Sequence, residues 1–351
     1  MVILNIEPAT NFSGGVNQTI LNTLEFKKRG HEVYLACVKD SPVHQKLEGK
    51  GVKFVFIDNE RLIHSANRIR SFLERHRVDI VHTHHSKGHT IGLLSLLFRK
   101  REKLVVQRGV IFPAKNPFKY LNPRVNLFVA NSNVVRERLI KSFVSRKKIV
   151  VVYSAIDEQR VNGYSRGEVR EMLGFGNKFV FGVVGNYSNW KGQDMLLKAF
   201  AGVKNKGNTL LVFVGRNTEL LKDEAKKLGI GDRVRALGFR DDAPKIIKGF
   251  DCLIIPSKEG ESFPNVAVEA FFSKTVVAGT NVGGIPELLD DGRGFVCEPN
   301  IESLRGLMLT VYNYDRREEM AERAYRFAKD NLTIEKKIDR LESIYKSLIE
   351  R

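Results

Sequence analysis

The feature that most constrains this 351-residue chain is an alternation, run through twice, of short apolar stretches with helical ones. Strands are expected at 2–8, 33–38, 52–57, 80–82, 104–107, 127–131 and 149–153, with helices at 16–29, 41–50, 64–76, 88–98 and 133–142. A second series sets strands at 179–185, 210–215, 234–239, 252–256, 275–278 and 295–297, with helices at 192–205, 218–228, 242–249 and 264–273. Strands alternating with helices of this length form doubly wound parallel sheets. The chain therefore reads as α/β, with two successive Rossmann-like domains. From about residue 300 it turns wholly helical, at 301–314, 315–330 and 333–350, with Ile338, Leu341, Ile344 and Leu348 at helical spacing. The domains are expected at 1–157 and 158–332, the last helix, about 333–351, packing back on the first.

Length agrees with two domains. Cys37, Cys252 and Cys297 stand far apart without a CxxC, so neither a disulfide framework nor a zinc site is indicated, and a reducing cytoplasm fits best. The opening MVILNI is too short for a signal segment, and no apolar run is long enough to span a bilayer. The formal charge of +18 is uneven. Residues 1–160 hold 28 Lys and Arg against 13 acidic residues, a net of +15. Lys27-Lys28-Arg29, Arg99-Lys100-Arg101 and Arg146-Lys147-Lys148 concentrate it in runs. Such runs are commonly solvated faces, but a one-sided basic field also implies an anionic partner: nucleic acid, an anionic leaflet or a phosphorylated lipid.

The chemistry concentrates in Pro256–Gly284, PSKEGESFPNVAVEAFFSKTVVAGTNVGG. Pro264 lacks a backbone donor and suits the first helical position, so the cap is expected at Ser262 or Phe263, with the N–H groups of Asn265 and Val266 pointing out of the helix end. A helix end that follows a parallel strand binds phosphate. Glu261 precedes this helix and Glu269 lies about a turn and a half inside it. Carboxylates accept from sugar hydroxyls, so the pair suggests a phosphorylated sugar; the plainer reading makes Glu261 a dipole partner and Glu269 a solvated residue.

Three further stretches are candidates. Ser13-Gly14-Gly15 is either a tight turn or a close backbone approach to a phosphate or an acceptor. His82-Thr83-His84-His85, with His89 beyond, lacks supporting Cys or carboxylates, and neighbours on a strand end point to opposite faces, so a shared metal ion is disfavoured. One or two of these histidines are expected to hydrogen-bond substrate. Gly185-Asn186-Tyr187-Ser188-Asn189-Trp190-Lys191-Gly192 has the wrong order for a Walker A loop, yet Lys191 just before a helix can neutralise a diphosphate.

Taken as a set, Gly185 with Lys191-Gly192 and Asp194, Val214-Gly215, Leu237-Gly238-Phe239-Arg240, Pro256-Ser257, Glu261-x7-Glu269-Ala270 and Gly283-Gly284-Ile285-Pro286-Glu287 resemble the retaining glycosyltransferases of family 4. The first half matches more loosely, through Gly14-Gly15, Asp79-Ile80-Val81-His82-Thr83-His84 and Val129-Ala130-Asn131-Ser132. The resemblance implies a GT-B fold, two Rossmann-like domains facing across a cleft, the second holding a nucleotide-sugar donor. By it, Lys191 meets the diphosphate, Glu269 the ribose, Glu261 with Ser262 and Phe263 the sugar, Asn265 and Val266 the phosphates, and Gly238, Phe239 and Arg240 the base. Gly15, Asn186 and Gly215 join the donor set, and Glu261, Lys191, Arg108 and His84 form the expected catalytic set. No metal and no cofactor beyond the nucleoside-diphosphate sugar are implied. Two positions depart from the family. Asn186 stands where an Arg is usual, and Arg108 stands where many relatives carry His; Arg108 is the expected replacement for the missing cation.

The implied activity is transfer of a sugar from a nucleoside-diphosphate sugar, with retention, to a lipid-linked or cell-envelope glycan of lipopolysaccharide or polysaccharide type. The basic first domain is expected to meet that acceptor at the inner face of the cytoplasmic membrane. A nucleotide-sugar epimerase of the same fold is the rival enzyme, and a basic nucleic-acid-binding protein the rival from another class. The paired glutamates argue against the latter, so no nucleic-acid partner is expected.

Overall fold

The computed structural model describes residues 1–114, 116–203 and 208–350. The chain divides into two compact units, Met1–Ala155 joined by the last helix, and Ile156–Thr333. In the first, the order is β1 (Val2–Glu7), α1 (Gly14–Lys28), β2 (Glu32–Cys37), α2 (Pro42–Leu47), β3 (Lys53–Phe56), α3 (Leu62–Arg75), β4 (Ile80–Thr83), α4 (His85–Ser95), β5 (Lys103–Arg108), α5 (Pro117–Tyr120), β6 (Val125–Ala130), α6 (Asn133–Lys141) and β7 (Ile149–Val151). Among the described residues these strands make a seven-stranded parallel sheet in the order β3-β2-β1-β4-β5-β6-β7. The order reverses between β1 and β4. One face of the sheet is covered by α3, α4, α5 and α6, whose Ile69, Phe72, Ile91, Tyr120, Val135 and Leu139 share one core.

The second unit runs α7 (Arg166–Met172), β8 (Phe179–Val184), α8 (Gln193–Ala201), β9 (Thr209–Val214), α9 (Leu221–Lys227), β10 (Val234–Ala236), α10 (Ala243–Ile246), β11 (Cys252–Ile255), α11 (Asn265–Phe272), β12 (Val276–Thr280), α12 (Ile285–Leu289), β13 (Gly294–Cys297), α13 (Ile301–Asn313) and α14 (Arg317–Asn331). Its sheet, six-stranded among the described residues, has the order β10-β9-β8-β11-β12-β13 and reverses between β8 and β11. The final α15 (Ile334–Ile349) returns to the first unit, where Ile334, Ile338, Leu341 and Tyr345 cover Ile3, Ile80, Val105 and Leu127. These side chains fill the sheet face opposite α3 to α6.

Local capping explains several helix starts. Ser13 accepts from the N–H of Val16, Ser132 from Val135, and Ser165 with Glu168 forms a capping box on α7. Other boundaries differ from expectation. Pro264 is the cap of α11, with a non-helical ψ of 108°, so the helix starts one residue later than expected. The helix expected at 88–98 begins at His85 and stops at Ser95, leaving Leu96, Leu97 and Phe98 in a turn. The helix expected at 242–249 is one α turn continued by a 3-10 turn. Short α5 and α12 were not foreseen, because single turns carry no periodicity. Residues 204 and 205 of the helix expected at 192–205, and residue 351 of the last, lie outside the described residues.

Candidate active site

In open parallel sheets the carboxyl ends of the strands that flank a reversal of order leave room for a ligand. In the second unit those strands are β8 and β11, and the loops that follow them are joined closely. A Cβ on Gly192, at φ +67°, would stand 2.0 Å from the carbonyl oxygen of Pro256. Lys258 N–H donates to the carbonyl of Trp190 at 2.8 Å, and Lys258 Nζ pairs with Asp194 at 2.9 Å. From this joint Lys191 reaches Glu261: its Nζ pairs with Oε1, which also accepts from Ser257 Oγ at 2.9 Å, while the ammonium lies 4.3 Å from the Trp190 ring centre. Glu261 is 6% exposed. A third loop closes behind it, since a Cβ on Gly283, at φ +57°, would fall 1.7 Å from the Glu261 carbonyl oxygen and one on Gly284 2.1 Å from that of Ser262.

Glu269, one turn into α11, is also 6% exposed, so the solvated reading does not hold. Burial raises its carboxyl above the usual range, opposed by the Arg160 guanidinium, whose Nε donates to Oε1 at 2.8 Å. The first-turn N–H groups of α11, those of Asn265 and Val266, point out of its N-terminus, beside the buried Phe263 and half-buried Ser262. The structure thus brings Lys191, Glu261, Ser262 and Phe263 together around the start of the helix that carries Glu269.

The remaining predicted donor residues lie along the ends of β8, β9 and β10. Gly215 (φ +145°) has no room for a Cβ, which would meet the Gly185 carbonyl oxygen at 2.2 Å, and its N–H donates to the Gly238 carbonyl at 2.8 Å. The side chain of Asn186 accepts from the backbone N–H of Arg216 at 3.0 Å, and Tyr187 N–H donates to the Arg216 carbonyl at 2.9 Å. Arg216 is exposed, with its guanidinium 5.0 Å from the centre of the Phe239 ring. Arg240 is turned to Asp242, which its Nε reaches at 2.8 Å.

In the first unit the reversal lies between β1 and β4, and a carboxylate and a histidine meet there. Glu7, fully buried at the end of β1, accepts from Thr19 Oγ1 at 2.9 Å, from Ala9 N–H at 3.1 Å, and pairs with His85 Nε2 at 3.2 Å. That bond raises the imidazole pKa of His85. The His85 side chain remains 37% exposed. Gly15 lies against it: a Cβ there would be 3.2 Å from His85 Cε1. The predicted His84 is buried, its Nε2 3.4 Å from Asn5 Oδ1 and its ring 4.5 Å from that of His82. Burial, then the neighbouring charges, hold it far below the usual histidine range. At this strand end it is His85 whose ring reaches solvent, because its φ of +57° turns it away from the sheet. Arg108 donates to the Tyr120 hydroxyl and the Phe112 carbonyl. Among the described residues no group of three or more His, Cys, Asp or Glu is placed to hold a metal ion.

Two Rossmann-like units, the second with a cation and two buried glutamates at its point of strand reversal, define a glycosyltransferase of the GT-B class, which takes its sugar from a nucleotide-sugar donor. Residues 13–160 match the family described as Glycosyltransferase Family 4, and residues 165–327 that described as Glycosyl transferases group 1. The chain belongs to the family 4 glycosyltransferases. It is 26% identical to the N-acetyl-alpha-D-glucosaminyl L-malate synthase of Bacillus anthracis over 80% of this chain and 77% of that one. It is 25% identical to the UDP-Gal:alpha-D-GlcNAc-diphosphoundecaprenol alpha-1,3-galactosyltransferase of Escherichia coli, over 95% of this chain and 94% of that one. Among solved structures it shares the fold of Anabaena HepE in complex with UDP, with a TM-score of 0.88 at 20% identity, covering 99% of this chain and all of that one.

The sequence reading did not single out Arg216, Arg160 or Glu7, and it named His85 only within its histidine stretch while putting His84 in the expected set. Arg216 directly follows a glycine that had been singled out, and His85 lay within a stretch already suspected; Glu7 and Arg160 carried no local signal.

Proposed function

We propose that this glycosyltransferase moves a sugar from a nucleoside diphosphate to a lipid-linked glycan of the cell envelope, with retention and without a metal ion. The observation that carries the donor half is the joint of Lys191, Ser257 and Glu261 at the start of α11, with Glu269 inside that helix. The diphosphate is held by Lys191, by the N–H groups at the N-terminus of α11, and by Arg216, which takes the place of the cation lost at Asn186. Glu269, oriented by Arg160, accepts from the ribose hydroxyls, and Glu261 holds the sugar and positions Lys191. As the bond from sugar to diphosphate lengthens, negative charge grows on the diphosphate and the cations stabilise it, so the site favours the transition state over the ground state. No carboxylate is assigned as a covalent nucleophile. The acceptor oxygen attacks the oxocarbenium-like carbon from the face the diphosphate leaves, and the departing diphosphate takes its proton.

The lipid-linked acceptor is supported by the named substrate of the E. coli relative and by the basic first unit. With such a substrate, the proposed location is the inner face of the cytoplasmic membrane; no described helix is long and apolar enough to cross one. His85, held by Glu7 beside Gly15, is positioned to meet the acceptor.

The test is a thermal-shift panel of UDP, GDP, ADP and their sugars, since a ligand of the native state raises the midpoint by mass action. One nucleotide series stabilises the wild type, and Glu269→Gln loses most of that shift; equal shifts in both proteins remove Glu269 from the site. Transfer to a diphospholipid acceptor is expected to continue in excess EDTA. Its loss would refute metal independence.

A further inference from the structure

We infer that Trp190, the single tryptophan of the chain, is a positioning residue for the transfer: the face of its indole holds the Lys191 ammonium where the diphosphate meets it. The inference rests on Lys191 being a cation of the diphosphate site, as proposed above.

Trp190 and Lys191 lie in a 3-10 turn, Asn189–Lys191, between β8 and α8. A lysine carries its charge on a flexible four-carbon stem, and fixing that stem costs rotamer entropy. An ammonium that is in place before its ligand must therefore be held. Two groups hold this one. The first is Glu261, whose Oε1 pairs with the ammonium and is itself fixed by Ser257 Oγ at 2.9 Å. The second is the Trp190 ring, whose centre lies 4.3 Å from Nζ, well within cation–π range.

The facing loop seats that ring. Lys258 N–H donates to the Trp190 carbonyl at 2.8 Å, and Gly260, at φ +84°, lies against the indole, since a Cβ there would stand 3.1 Å from Cε3 and 3.4 Å from Cζ3. The next residue along each loop makes the next contact: Gly260 meets Trp190, and Glu261 meets Lys191. The ring and the carboxylate that share the ammonium are thus set by one joint.

Packing alone is the plainer account of a tryptophan between two loops. Tyr187 of the same loop fits that account, because it packs against the apolar core of its unit. Trp190 fits it less well: 38% of the residue is exposed, and what lies over its ring is a charge. An indole face also suits the task better than a second carboxylate would. An ammonium has three N–H donors and the ring consumes none of them, so once Glu261 has taken one, two are left for phosphate oxygens. The ring attracts the cation without neutralising it. The charge therefore stays available as the sugar–diphosphate bond lengthens, and it is aimed beforehand, which is the condition for electrostatic stabilisation of a transition state.

The test is a double-mutant cycle read by calorimetry, titrating UDP, GDP and ADP and the matching nucleosides into the wild type, Trp190→Leu, Lys191→Met and the double variant. For the diphosphate that binds, Trp190→Leu should lose about fivefold in affinity and Trp190→Phe only about twofold, because the smaller ring keeps part of the attraction. Neither change should alter the affinity for the nucleoside. On the Lys191→Met background Trp190→Leu should cost nothing further. In transfer assays Trp190→Leu should lower kcat, since the cation no longer meets the charge that grows in the transition state, and Trp190→Phe should recover most of it. Additive losses in the cycle, or an equal loss for the nucleoside, would make Trp190 a packing residue and overturn the inference. Trp190→Phe carries the same cycle should the leucine variant fail to fold. Diphosphate binding that falls with Lys191→Met but not with Trp190→Leu overturns the role of Trp190 and leaves the donor assignment standing. A wild type that binds none of the three diphosphates overturns that assignment itself.

Discussion

Arg216 has its backbone fixed on both sides, its N–H by the Asn186 side chain and its carbonyl by Tyr187 N–H, while its guanidinium stays exposed near Phe239. A cation so placed is expected to bind phosphate. Replacing Arg216 by Ala should weaken a nucleoside diphosphate by about tenfold, or about 1.4 kcal/mol, and leave the affinity for the bare nucleoside unchanged, as read by calorimetry. An equal loss for both ligands would assign Arg216 to the base through Phe239. A second residue-scale prediction concerns His85. Its raised pKa follows from the bond to Glu7, so Glu7→Gln should move the ring's titration midpoint down toward the ordinary value, as followed by NMR. An unchanged midpoint would refute the pairing. Glu261 and Glu269 were legible because their spacing about a helix start is local. Arg216 was not, because its link to Asn186 joins residues 30 apart in sequence. Choosing between His84 and His85 required a backbone angle, which the residue types do not specify.

At the scale of elements, three loops meet at Glu261 only because glycine allows their backbones to touch. Gly283 combines a left-handed φ with a would-be Cβ 1.7 Å from the Glu261 carbonyl oxygen, so there is no small adjustment that admits a methyl group. Gly283→Ala should cost about 2 kcal/mol or more of stability, or else displace the Glu261 loop and lose the nucleotide thermal shift. A variant unchanged in both melting and nucleotide response would contradict this packing. At Phe98 and Phe143, both at φ +65°, the opposite sign applies, because glycine relieves about 1 to 2 kcal/mol of left-handed strain at each. The alternation of strands and helices was legible, since parallel strands covered on both faces must be apolar throughout. Helix ends were read less well. The end of α4 at Ser95 leaves Leu97 and Phe98 exposed, although apolar residues there read naturally as a continued helix. Pro264 fits a first helical turn by its own geometry, and the surrounding loops place it one position earlier.

At the scale of the molecule, α15 closes the first unit with a buried lysine. Lys337 is 4% exposed, and its Nζ donates to Gln18 Oε1 at 2.7 Å. Gln18 also holds Ala155 through both backbone groups, at 3.0 and 2.6 Å, where the chain leaves the unit. The apolar spacing of the last helix was legible, but not that Lys337 would share its buried side, because a single lysine among Ile338, Leu341 and Tyr345 reads as solvated. Burial lowers its ammonium to about 7. The groups near it are Gln18, His82 and His84, with Tyr345 bonded to His82 at 2.7 Å; no carboxylate among them compensates the charge. The unfolded chain keeps this proton to about 10.5, so between roughly 7 and 10.5 it binds a proton that the folded chain lacks. Stability therefore rises with pH across that window, by up to about 1.4 kcal/mol per unit. His82 and His89, held neutral to about 3 by burial, act in the same direction but only from about 6.5 downward. Lys337→Met leaves Gln18 bonded to Ala155 and removes only the upper window. In urea denaturation the variant should be more stable than the wild type at pH 6 and should climb less steeply from pH 7 to 10, the slope left in both coming from groups such as Lys119, lowered to about 8 by burial. Parallel curves across that range would mean that Lys337 keeps its proton in the folded chain and that α15 does not bury it as described.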